Sequence, residues 1–174
     1  MTKRHLQDSL SFDPETTAVV IVDPQNDFLH PEGVAYFAVG ASVEENDTVN
    51  NIGRLFVASR DLGYQVFVSP HWYYPYDDEW QFGGTLETVM HDINMFKRTA
   101  PLSLDGFEGS GADFLDAYKP YIENGGGTNG NVIVTSPHKI YGPEHNDLAL
   151  QMRKRKIKRV ILAGMSVRFF IYTA

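Results

Sequence analysis

Four short apolar runs, rich in β-branched residues, recur along the chain at residues 18–22, 65–70, 131–137 and 159–164. Each ends at or just before a proline or glycine, neither of which easily continues a central strand. Runs that are apolar at consecutive positions fit strands buried on both faces, as in a parallel sheet, rather than strands with one wet face. Between the first two runs, Val49, Ile52, Leu55, Phe56 and Leu62 recur at helical intervals up to Gly63, and Ser42 with Glu45 has the spacing of a capping box for the helix start. Between the last two, Asn146 is placed to cap a helix carrying Leu148, Met152 and Ile157, with a basic last turn. The stretch 72–130 is rich in Trp, Tyr, Gly and Asp; it predicts a helix over 112–123 and a loose tip at Gly125-Gly126-Gly127.

Strands alternating with helices imply right-handed crossovers and a parallel sheet covered on both faces. The expected fold is a three-layer α/β/α sandwich with a mostly parallel, doubly wound sheet. It forms one domain over residues 1–174, in which 1–16 is a polar lead-in. Ligands in such folds sit at the carboxyl ends of the strands, so the residues just after each run carry the candidate chemistry.

The first run delivers Asp23, which reads either as a general base or as a turn-former before Pro24. The second delivers His71 and Trp72, followed by Tyr73, Tyr74, Tyr76 and Trp80. No second metal ligand is fixed by spacing near His71, so an aromatic pocket wall is preferred, with Phe28, His71 and Trp72 as substrate contacts. The third delivers Lys139, whose charge at the mouth of an apolar sheet needs a carboxylate; Asp23 is the expected partner, in a pair either structural or proton-poising. The fourth delivers Gly164-Met165-Ser166, a turn into a helix whose free backbone N–H groups suit a developing oxyanion.

Composition narrows the partners. Fifteen Lys and Arg against 22 Asp and Glu give a net charge of −7, which disfavours nucleic acid, whose affinity rests on clustered cations. No apolar stretch reaches the roughly 20 residues that cross a bilayer, and a cytoplasmic location with a small-molecule ligand is the expectation. The sequence contains no cysteine, which closes disulfides, thiolate metal sites and thiol catalysis. No metal or cofactor is expected.

Taken together, Val-Asp-Pro-Gln-Asn-Asp-Phe-Leu at 22–29, Ser-Pro-His-Lys at 136–139, Asn-Asp-Leu at 146–148 and Val-Ile-Leu-Ala-Gly-Met-Ser at 160–166 resemble the isochorismatase-like cysteine hydrolases, over about residues 16–166. That superfamily includes nicotinamidases, N-carbamoylsarcosine amidohydrolases and ureidoacrylate hydrolases. The resemblance implies hydrolysis of non-peptide C–N bonds by an Asp, a Lys and a Cys, and carries the first two onto Asp23 and Lys139. The nucleophile position falls on Phe170, and the oxyanion N–H groups on Ser166 and Phe170. Phenylalanine cannot attack a carbonyl, so the expectation is a family scaffold inactive as this chain. The alternatives are a cysteine-independent vinyl-ether hydrolase, against which the bulk of Phe170 counts, and a non-catalytic binding protein. From Val167 to Ala174 the match is lost, which leads to the expectation of a truncated or altered C-terminus. Missing strands would leave the run at 159–164 as an open edge prone to self-association, so a homo-oligomer or aggregate is expected.

Overall fold

The first apolar run becomes β1 (Thr17–Val22), buried along its whole length. It pairs in parallel with β2 (Gln65–Ser69) on one side and β4 (Arg159–Gly164) on the other; β2 pairs in parallel with β3 (Val132–Val134), so the sheet order is β3-β2-β1-β4. The structure, a computed structural model, describes residues 12–79, 83–127, 130–140 and 145–165. Parallel neighbours cannot be joined by hairpins, so the helices between them cross over the sheet. Side chains alternate along the strands accordingly: Val19, Ile21, Val66 and Val68 pack on one face with Ile52 and Phe56, while Ala18, Val20, Val22 and Phe67 pack on the other with Leu148 and Met152. The result is the three-layer α/β/α arrangement.

Three local expectations are corrected. The segment around Ser42 does not start a helix: it is the last turn of one, Tyr36–Glu45, and the next helix, Thr48–Leu62, follows after a break at Asn46 and Asp47. Asn46 donates its side-chain amide to the Ser42 carbonyl, and Asp47 takes a left-handed φ of 47°, so turn chemistry wins over the capping-box spacing. Leu62, placed on the apolar stripe by period alone, is exposed at the helix end, where Gly63 closes it with a φ of 76°. The predicted helix over 112–123 shrinks to Lys119–Gly125. The preceding residues spend their backbone groups on the loop after β1 instead: Asp113 O accepts from Asn26 N–H, Ala112 O from the Gln25 amide, and Leu115 N–H donates to Pro24 O. By contrast, Asn146 Oδ1 accepts the Leu148 N–H at 2.9 Å at the head of the helix Leu148–Lys154, as its spacing suggested.

β4 ends the sheet among the described residues; its first two residues are exposed, Val160 at 44%, and the other four are partly buried. No helix among the described residues is long and apolar enough to cross a membrane.

Candidate functional site

Asp23, His71 and His138 follow β1, β2 and β3 at the carboxyl edge of the sheet, and all three are buried. Parallel strands ending in register bring these next residues together, and His71 and His138 extend the β2–β3 pairing by one isolated bridge. Asp23 Oδ1 lies 2.8 Å from His138 Nε2, and the two imidazole rings are 4.9 Å apart between centroids. Asp23 sits at a left-handed φ of 52° immediately before Pro24. That conformation costs about 1–3 kcal/mol for a non-glycine residue and is held where the surroundings over-determine it.

The restraint comes from the residues after it. Gln25 is fully buried; its amide donates to the carbonyls of His71, at 2.9 Å, and Ala112, at 2.7 Å, while its Oε1 accepts the His71 N–H at 2.7 Å. Asp27 is buried as well and accepts the Phe96 and Val34 N–H groups. In the stretch Asp23-Pro24-Gln25-Asn26-Asp27, only the first carboxylate faces the strand-end cluster, and the other polar side chains build the loop that aims it.

Lys139 does not meet Asp23. Its Nζ donates to the Trp72 carbonyl at 2.7 Å and to Asp77 Oδ2, and it lies over the rings of Tyr73 and Tyr74. The reason is alternation: consecutive residues of extended chain point to opposite sides, so when His138 turns toward Asp23, Lys139 turns away.

A cavity of about 250 Å³ opens beside the cluster, lined by Asp23, Phe28 and His71 with Met90, Ile93 and Ile140 among its apolar walls. Phe28 and His71 line this cavity. Trp72 does not: its indole N–H donates to Ala112 O, and its ring packs against Phe107 and under the Arg98 guanidinium. The aromatic run after β2 is divided rather than gathered into one wall, with Tyr73 buried, Tyr76 exposed and Trp80 outside the described residues. Ser166 and Phe170 also lie outside the described residues. His138 is the residue that sequence reasoning passed over. Its signal was present in the pairing of a histidine after β2 with another after β3.

Burial raises the Asp23 carboxyl above the usual carboxylate range, against the opposing pull of His138, and burial with neighbouring His138 and Lys139 drives His71 well down, leaving its imidazole neutral. Burial also raises Asp27, against the donated N–H groups of Phe96 and Val34. A carboxyl whose pKa is higher folded than unfolded favours folding at low pH, and that stability is lost as pH rises through the raised value. Asp23→Asn is expected to melt above the parent at about pH 7, with the gap closing below about pH 3, where the parent carboxyl is protonated in both states. A gap independent of pH would contradict ionisation of Asp23 as its source.

The family profile described as Isochorismatase domain matches residues 17–170. No curated protein matches the chain in sequence. Among solved structures, a cysteine hydrolase from Pseudomonas syringae pv. phaseolicola 1448A is similar at 21% identity and a TM-score of 0.63, covering 90% of this chain and 62% of its own. The nicotinamidase PncA from Bacillus subtilis is similar at 20% identity and a TM-score of 0.56, covering 86% of this chain and 71% of its own. An isochorismatase family protein from Desulfovibrio vulgaris subsp. vulgaris str. Hildenborough gives 19% identity and a TM-score of 0.57, with coverages of 86% and 67%. This chain thus spans under two thirds of the length of the first of these neighbours, and at such identities the likeness speaks to fold. With the profile matching most of the sequence, the chain belongs to the isochorismatase family.

Proposed function

We propose that this chain is a family scaffold that holds a small amide- or ureido-type ligand against Asp23 and does not turn it over by thiol chemistry. The observation that carries this reading is the pairing of a buried carboxylate at the wall of a largely apolar cavity with a sequence that contains no cysteine. Covalent acyl transfer needs a side chain that becomes a nucleophile on losing a proton, and the position that the family resemblance assigns to it is Phe170. The lysine expected to support the acid is held by Asp77 and the Trp72 carbonyl. The lining of the cavity suits a mostly apolar molecule with one polar end, because its walls are aliphatic and aromatic and its polar groups are Asp23 and His71.

The test is incubation with nicotinamide, an N-carbamoyl amino acid and a ureido acid, following ammonia release, intact mass and heat of binding. Saturable binding with no ammonia above the buffer rate and no acylated adduct is the expected result. Ammonia release that Asp23→Asn abolishes, or an acyl adduct on the chain, would overturn it.

A further inference from the structure

We infer that the cavity beside Asp23 selects neutral amides that carry an apolar chain, with the amide inward and the chain lying against Phe37, Leu86 and Val89 at the mouth. The inference rests on the function proposed above and narrows it to one class of ligand: of the probes named there, the two acids bind more weakly than neutral counterparts of the same length.

The cavity is polar at one place only. Asp23 and His71 carry the only polar side chains among its described lining residues, and both are buried. His71 Nε2 has no hydrogen-bond partner among the described residues, and its ring is neutral, so it stands ready to bond a ligand. A primary amide presents donors and an acceptor on one small group and can meet the Asp23 carboxyl and the His71 ring together. A ligand carboxylate presents acceptors alone and would bring a second acid beside Asp23.

No cation offsets such a charge elsewhere in the cavity, since no Lys or Arg is among its described lining residues. Lys139 is drawn off by Asp77 and the Trp72 carbonyl, and Lys97 pairs with Asp78 at 2.7 Å. An anionic group in the cavity therefore leaves water without a partner, whereas a neutral amide does not.

The walls define the rest of the ligand. Phe28, Ala35 and Met95 are buried, but Phe37 is 82%, Leu86 50% and Val89 45% exposed, although all six line the same cavity. Phe37 comes from the helix Tyr36–Glu45, and Leu86 and Val89 from the helix Thr85–Asp92. In the second of these helices, Leu86, Val89, Met90 and Ile93 follow i, i+3, i+4 and i+7 and form its apolar stripe. A stripe of this kind ordinarily faces a closed core, yet here it lines the cavity and none of its four residues is buried. Single exposed apolar side chains are ordinary; three at one opening, continuous with a buried apolar wall, mark a surface that a ligand covers. Met90 and Met95 add unbranched side chains that adjust to a flexible occupant such as an alkyl chain.

The experiment measures the affinities of butanamide, hexanamide and octanamide by ligand-observed NMR titration, with adipamate, the hexanamide chain ended in a carboxylate, as the charged counterpart. A methylene fully removed from water is worth about fourfold in affinity, so a rise of about fivefold or more is expected for each two methylenes added. Adipamate is expected to bind about 30-fold or more weakly than hexanamide. Phe37→Ala should cut the gain from hexanamide to octanamide to below about twofold, and the exposure of Phe37 means that its loss costs the fold little. Leu102→Ala, at 96% exposure and outside the lining, leaves the series unchanged. Amides that bind equally at every length, adipamate that matches hexanamide, or an undiminished gain in Phe37→Ala would each overturn the inference. Dimers that Phe37→Ala dissolves, together with a flat series, would overturn it in favour of a second copy of the chain at the mouth. Ammonia release that follows the same order of chain length would end the reading of a chain without turnover and sustain this one; no binding by any amide would end both.

Discussion

Gly164→Ala is expected to lower the melting temperature by about 6–12 °C or more, at about 2–4 °C per kcal/mol for a chain of this size. Gly164 closes β4 opposite Val22 in the parallel register, with a φ of 115° that L side chains rarely adopt. A Cβ built there would stand 2.1 Å from the Val22 carbonyl oxygen and 2.5 Å from its nitrogen. That carbonyl already accepts the Met165 N–H at 3.0 Å, so it cannot step aside without losing a bond. Backbone blocks backbone, and the only relief is to prise the end of β4 away from β1. The combined strain and lost pairing are of order 3 kcal/mol or more. Because Val22 precedes Asp23, the same displacement disturbs the strand-end cluster. Gly53→Ala is the control: it lies within a helix with nothing within 4 Å of its added Cβ, and it should raise stability by about 0.5–1 kcal/mol. Paired thermal melts check both signs, and a Gly164→Ala protein melting with the parent would refute the steric account.

Gln25→Ala is expected to cost about 2–6 kcal/mol, because it leaves the buried His71 N–H and His71 carbonyl, each worth about 1–3 kcal/mol, without a partner, while Ala112 O keeps the Trp72 indole donor. The amide bridges the end of β2 to the segment 111–115 by bonds to His71 N–H, His71 O and Ala112 O. Gln25→Glu separates hydrogen bonding from packing. Its carboxylate can still accept the His71 N–H, but it faces two carbonyl oxygens that want a donor. The Glu variant should therefore be as damaged as the Ala variant near neutral pH and recover in part below about pH 5, where a protonated carboxyl donates again. Urea unfolding at two pH values reads this directly; equal losses at both would show that volume, not bonding, is what Gln25 supplies.

The strand runs were legible because a parallel sheet buries both faces of a strand, which writes an uninterrupted apolar segment into the sequence. β1 and β4 fall where the runs at 18–22 and 159–164 predict. Helix starts were less legible, because polar turn-formers at Asn46 and Asp47 can satisfy backbone groups in several ways. The segment 112–118 shows the limit most clearly: its helical look is overridden by bonds to a loop some 85 residues earlier, such as Gln25 to Ala112, a separation of 87. No window of local sequence contains that competition.

The same division holds at the site. The sequence alone determined that Asp23 and His71 end strands, that a charged lysine follows the third run, and that no thiol is available, since each follows from residue identity and position in a run. Only the tertiary structure decided the partners: that His138 rather than Lys139 reaches Asp23, that Asp77 takes the lysine, and that Trp72 turns from the cavity. The physical reason is that a one-residue step along an extended chain reverses the direction of a side chain, and strand order sets which reversed side chain finds a partner. Composition holds the charges, but the pleat and the crossovers choose how they pair.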